Sequence, residues 1–171
     1  IGKALARHTA QLGAQVILHG RNSRKLESVY DDIEAIEGAL RPSISVLDLA
    51  SATSDEYQAL AYSVEESFGR LDGLVQNAAI LGQRLSIEQY DPAEWQRVLQ
   101  VNLTAPIVLT QLLLPLLKKS DDASIVFTSS GVGKTGKENC GAYTASKFGI
   151  ESLSHIVASE NTHTNVQTNC I

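Results

Sequence analysis

The chain has 171 residues, 43% of them hydrophobic and 19% charged, with a net charge of −5 and a pI near 5.3. That length suits one globular domain with a sizeable core, and the composition excludes disordered and fibrous classes. The acidic balance argues against a nucleic-acid surface, because the basic stretches Arg21 to Lys25 and Lys118-Lys119 are too short to offset it.

The chain opens without Met, in a helix-like pattern that places Ile1, Ala4, Leu5, His8 and Leu12 on one face, and it is read as a fragment. Gly13 stands where a left-handed C-terminal cap belongs. Gln15 to His19 reads as a short strand, and Gly20-Arg21-Asn22-Ser23 turns the chain. Asn22 or Ser23 can cap a second helix to about Ile36, with Gly38 ending it. Ile44 to Leu47 is a strand that delivers Asp48 and Leu49 into a turn. A third helix spans Ser54 to Phe68 and stops at Gly69; the next strand, Leu71 to Gln76, runs into Asn77-Ala78-Ala79.

Asp91-Pro92-Ala93-Glu94 combines an N-cap, a proline at the first helical position and an acidic third position, a strong helix start. That helix is expected to continue past Asn102 to about Lys118. From Leu103 to Leu117 it is apolar nearly all round and so belongs in an interior. Its longest apolar run, Ile107 to Leu117, is broken by Thr110, Gln111 and Pro115 and is too short to span a bilayer, so no membrane partner is expected. Ser124 to Thr128 is a buried strand ending at Ser129-Ser130, a helix follows from Tyr143 to Ser159, and Val166 to Ile171 opens a last strand.

Strands and helices alternate throughout. The expectation is a doubly wound α/β fold in one domain over residues 1–171, with a parallel sheet, right-handed crossovers and helices on both faces. Ligands of such sheets bind beyond the carboxyl ends of the strands. The polar signals gather at those ends: Gly20-Arg21, Asp48, Asn77-Ala78-Ala79 and Ser129-Ser130. Cys140 and Cys170 lack metal-ligand spacing and read as free thiols of a reducing compartment, the cytoplasm. The histidines His8, His19, His155 and His163 show no metal or triad spacing.

The chemistry concentrates between Ser130 and Lys147. Tyr143 and Lys147 are one helical turn apart and would share a face, bringing the ammonium near the phenol. A nearby cation favours phenolate over phenol, which suits Tyr143 to general acid/base work on a carbinol or carbonyl oxygen held by Ser130. Spacing favours Ser130 over its neighbour Ser129 for that role.

With these residues in order, the sequence resembles the short-chain dehydrogenase/reductase family, bacterial oxidoreductase type, over essentially its whole length. Asn77-Ala78-Ala79 resembles the family's N-A-G segment, Asn102 its V-N-L motif, Tyr143 and Lys147 its Y-x-x-x-K, and Asn169 the Asn before its P-G segment. The resemblance implies a Rossmann-type fold and a tetrad. Tyr143 exchanges the proton, Lys147 supports its ionisation and bonds the nicotinamide ribose, Ser130 orients the carbonyl, and Asn102 holds a relay water through a helix kink. It implies hydride transfer between a nicotinamide cofactor and a ketone, aldehyde or secondary alcohol. It also implies a homodimer or homotetramer through helices 92–118 and 143–159.

Cofactor contacts are implied for Gly2, Arg21, Asp48, Leu49, Asn77, Ala78, Ala79, Tyr143 and Lys147. Gly20-Arg21-Asn22 has no carboxylate, and Arg21, with Arg24 beside it, suits a 2′-phosphate, so NADP(H) is preferred over a possible NAD(H). Ala79 departs from the family glycine. Only Gly2 remains of the Gly-rich turn, and the strand before it, the P-G segment and the final strand are absent. The 171 residues alone are expected to bind dinucleotide poorly and to expose strand edges. The alternative is an inactive or regulatory dinucleotide-binding protein of the same fold; such proteins usually lose the Tyr or the Lys, and both stand here.

Overall fold

Side-chain caps set where three of the helices begin. In the computed structural model, which describes residues 1–171, contacts gather the chain into two compact units, Ile1–Ala52 and Thr53–Ile171. The first contains α1 (Gly2–Gln11), β1 (Ile17–Gly20), α2 (Ser23–Glu34) and β2 (Ser43–Val46). Asn22 is the cap of α2: its side-chain oxygen accepts from the Lys25 N–H at 3.0 Å. The helix ends at Glu34 rather than Ile36, because the chain tightens into successive turns in which Ile36 N–H bonds Ile33 and Ala39 N–H bonds Ile36. Gly38, at φ +78°, takes the left-handed position within them. Strands β1 and β2 pair in parallel with Leu18 opposite Ile44, over a core of Ala10, Leu18, Val29 and Ile33.

The second unit carries α3 (Ser54–Phe68), β3 (Gly73–Gln76), α4 (Pro92–Leu99), α5 (Ala105–Leu117), β4 (Ala123–Phe127), α6 (Gly141–Glu160) and β5 (Val166–Cys170). Thr53 and Glu56 form a reciprocal capping box on α3, and Gly69 closes it at φ +70°. The Asp91 carboxylate accepts from the Ala93 N–H at 2.9 Å, with Pro92 in the first turn, as the sequence predicts. The three strands form a parallel sheet in the order β3-β4-β5. In β4 the residues Ala123, Ile125 and Phe127 are fully buried and alternate with half-buried ones. They pack with Leu117, Ile150, Val157 and Val166, so α5 and α6 are held on the central strand of this sheet. Both sheets are parallel and their strands are joined by helices, the Rossmann-type arrangement expected.

The helix expected to continue past Asn102 to about Lys118 does so with an interruption at Asn102, where the family resemblance implied a kink. Gln100–Thr104 forms a π turn, where the Ala105 N–H reaches back five residues to the Gln100 carbonyl. Pro106 lies four residues beyond Asn102 and has no N–H to return to its carbonyl, so the α ladder lacks that bond here.

The membrane expectation needs correcting on length. Ile107–Leu117 is short, but the helical stretch containing it, Pro92–Leu117, has 26 residues and is long and apolar enough to cross a membrane by those measures. Its buried side carries Asn102 and Thr110 as well as leucines, and it packs on α3 and α6 as a core helix does.

Phe127 has no exposed surface and sits at the centre of this packing. Phe127→Ala is expected to cost about 3–5 kcal/mol of unfolding free energy. Urea denaturation measures it, and a loss below about 1 kcal/mol would contradict the assignment of this core.

Candidate active site

Parallel pairing aligns the carboxyl ends of β3, β4 and β5 at one edge of the second unit. There the Thr128 N–H bonds the Gln76 carbonyl at 3.0 Å, and the Ser129 N–H bonds the Ile171 carbonyl at 2.6 Å. Three predicted segments leave from this edge: Asn77-Ala78-Ala79 after β3, Ser129-Ser130 after β4, and the end of β5 with Asn169. Ser130 is extended at φ −162° and ψ 158°, and its carbonyl accepts from the Gly133 N–H at 2.8 Å, opening a short 3-10 turn at Gly131–Gly133. That turn lies close on α6. A Cβ on Gly133 would come within 2.6 Å of Ser129 Oγ and 3.3 Å of the Lys147 carbonyl, so a larger residue there would displace the Ser129 hydroxyl and crowd the helix backbone.

Helix α6 begins at Gly141 and carries both residues of the Tyr-Lys pair. Lys147 is only 3% exposed, a rare condition for lysine unless its charge is partnered. Its Nζ donates to the Thr128 carbonyl at 2.6 Å, tying the helix to the end of β4. It also lies 5.6 Å from the centre of the Tyr143 ring, the one-turn proximity that the spacing predicts. Burial pushes the Lys147 ammonium below the ordinary lysine value, and the charge of Cys170 opposes this in part. Tyr143 itself is half-buried.

Asn102 lies in the π turn and is 1% exposed. Its side-chain oxygen accepts from the Ile80 N–H at 2.8 Å, and its Nδ2 donates to the Ile80 carbonyl at 2.9 Å and to Ser146 Oγ at 3.0 Å. The carboxamide therefore clamps the loop that leaves β3, three residues beyond Asn77. Further along that loop, Gly82 at φ +71° passes so close to Tyr90 and Val98 that a Cβ would come within 2.5 Å of each. The Tyr90 hydroxyl accepts from the Gln83 N–H at 3.2 Å, and the Tyr90 ring meets Trp95 edge-on at 5.6 Å.

The structure thus brings Tyr143, Lys147 and the end of β4 together, and joins Asn102 to the β3 loop and to the turn of α6 between Tyr143 and Lys147. Ser130 stands at the same strand edge without a hydrogen bond from its hydroxyl to either. Three participants had no role in the sequence reading: the carbonyl of Thr128, the backbone of Ile80, and Ser146. The first two act through main-chain atoms, which side-chain motifs do not reveal. Ser146 lies inside the Tyr-Lys motif, but its partner is distant in sequence.

The other predicted residues lie in the first unit. Gly2 begins α1, and Arg21 is exposed directly after β1. Asp48 accepts the Ala50 N–H at 3.0 Å, shaping the turn after β2, and Leu49 is buried. A hollow of about 350 Å³ is lined by Lys3, Arg24, Lys25, Ser28 and Val29, so three cations collect at the start of α1 and α2. Lys3 is paired with Asp32 at 2.6 Å.

The model of the short chain dehydrogenase family matches residues 1–171. The oxidoreductase YciK of Escherichia coli strain K12 is 44% identical over 171 residues, all of this chain and 67% of that protein. A protein of Escherichia coli CFT073, described as a short chain dehydrogenase and solved in complex with NADPH, is 44% identical with a TM-score of 0.94, over 99% of this chain and 70% of that one. A short chain dehydrogenase of Salmonella enterica serovar Typhi CT18 is 42% identical at a TM-score of 0.94, over 98% of this chain and 69% of that one. This chain spans about two thirds of the length of these relatives. It belongs to the short chain dehydrogenase family of oxidoreductases.

Proposed function

We propose that the protein transfers a hydride between NADP(H) and a ketone, aldehyde or secondary alcohol, with Tyr143 as general acid/base. The observation that carries this reading is the buried Lys147, 5.6 Å from the Tyr143 ring and anchored on the Thr128 carbonyl. NADP(H), when bound, supplies or takes the hydride. In reduction Tyr143 donates its proton to the oxygen of the carbonyl, and the Lys147 ammonium stabilises the negative charge left on the phenol oxygen. Ser130, whose hydroxyl bonds to no other side chain here, holds the same substrate oxygen. Asn102 acts through position: its carboxamide is committed to Ile80 and Ser146, so any contact with a relay water falls to its main-chain carbonyl.

The residues of the first unit suit the phosphorylated cofactor. Arg21 is exposed at the end of β1 with no carboxylate beside it and Arg24 follows in the first turn of α2, which favours a 2′-phosphate over bare ribose hydroxyls. The E. coli CFT073 relative solved with NADPH supports the same choice. Gly2, Asp48, Leu49, Asn77, Ala78 and Ala79 complete the proposed cofactor contacts. The free thiols Cys140 and Cys170 suit a cytoplasmic location. A homodimer or homotetramer would cover Ile107 on α5 and Phe148 and Ile156 on α6, large apolar side chains that are 43%, 45% and 49% exposed.

Four outcomes test this in the full-length protein. Tyr143→Phe is expected to lower kcat for carbonyl reduction by about 10²–10⁴-fold, a far larger effect than on NADPH affinity; unchanged kcat would remove Tyr143 from the chemistry. Arg21→Ala is expected to weaken NADPH binding selectively, as read by nucleotide fluorescence, and equal losses for NADPH and NADH would contradict the phosphate role. The ammonium of Lys147 is present below its lowered value and lost above it, so reduction should slow as pH rises through that value, at lower pH than for a solvated lysine. Lys147→Arg, which keeps its charge, should flatten that fall; identical pH profiles would refute the link. Phe148→Glu is expected to lower the assembly state seen by light scattering, and a monomeric parent protein would refute the interface.

A further inference from the structure

Ser146 has no exposed surface and lies between the two residues of the proposed chemistry. Serine is a poorer interior helix residue than alanine, which would fill the same site without a polar atom to satisfy. Its hydroxyl donates to the Tyr143 carbonyl at 2.7 Å, a local back-bond that many helical serines make. What sets it apart is the second bond, accepted from Asn102 Nδ2 at 3.0 Å, forty-four residues away in sequence. The donors run in one direction, Asn102 to Ser146 to the Tyr143 carbonyl, so each bond polarises the next. Asn102 meanwhile grips both polar groups of the Ile80 backbone.

Resting on the function proposed above, we infer that Ser146 is a positioning residue, locking the turn of α6 that carries Tyr143 and Lys147 to the π turn and the β3 loop. The Lys147 bond to Thr128 fixes one side of that turn, and the Ser146 bond to Asn102 fixes another. Removing the hydroxyl leaves one Asn102 N–H in the interior without its acceptor and frees the carboxamide to rotate away from Ile80.

The test uses the full-length protein, with Ser146→Ala and the hydroxyl-retaining Ser146→Thr. Three readouts are taken: NADPH affinity, kcat and KM for a carbonyl substrate, and amide hydrogen exchange. Ser146→Ala is expected to bind NADPH as the parent does and to lose about 10- to 100-fold in kcat with little change in KM. Exchange should quicken at Ile80 and in the turn 100–104, and Ser146→Thr should restore both kcat and protection. Unchanged kcat and unchanged Ile80 exchange in folded Ser146→Ala would overturn the inference. So would a uniform rise in exchange across the whole unit with kcat tracking the folded fraction, since Ser146 would then serve packing alone. If the parent protein reduces no carbonyl, the proposed function fails, and the Ile80 exchange by itself decides the coupling.

Discussion

A lysine ammonium taken out of water loses hydration that a protein must replace, and at Lys147 the replacement is specific. The side chain is almost wholly buried, its Nζ donates to the carbonyl that ends β4, and the Tyr143 ring stands one helical turn away. That bond sets where α6 sits relative to the sheet edge in the second unit, and hence where Tyr143 stands. Desolvation lowers the ammonium's hold on its proton. The group is thereby a buried cation set between the end of a strand, a phenol and the Cys170 thiol. A surface lysine at the same spacing would be screened and would do less to the tyrosine beside it.

The rest of the second unit reads as support for that placement. The π turn at Gln100–Thr104 departs from regular helix, and the departure aims Asn102 at the β3 loop and at Ser146 instead of along the helix surface. Pro106 favours the irregularity, since the regular bond to the Asn102 carbonyl has no donor. Gly133 lets the turn after β4 lie against the Lys147 backbone. These are small devices at different points of the chain, and each acts on one turn of α6.

Much of this was legible in the residues. Asn22, Asp91 with Pro92, and Gly69 each marked a helix end that the structure reproduces, because caps are local chemistry; the Thr53–Glu56 capping box was equally local but was not read from the sequence. The Tyr143–Lys147 proximity followed from helical spacing alone, and family membership followed from four weak motifs in the right order together with the spacing of Ser130 from Tyr143. The kink at Asn102 was implied by the family resemblance, but its form, a π turn over Gln100–Thr104, was not legible in the spacing of the residues. The stretch Pro92–Leu117 proved long enough, by length and composition, to cross a membrane, and only its packing on α3 and α6 distinguishes it as core. Ser146 and Ile80 were not legible as partners, since their bonds to Asn102 join positions distant in sequence and run in part through backbone atoms.

The central claim is that this site moves a hydride to a carbonyl carbon while Tyr143 supplies the proton. The most direct measurement follows deuterium from NADPH labelled at C4, one diastereomer at a time, in reactions of the full-length protein with a panel of ketones and aldehydes. Label from a single diastereomer is expected on the carbinol carbon of at least one product. Tight NADPH binding with no deuterium transferred to any carbonyl would contradict the central claim and leave a protein that binds the dinucleotide without using it.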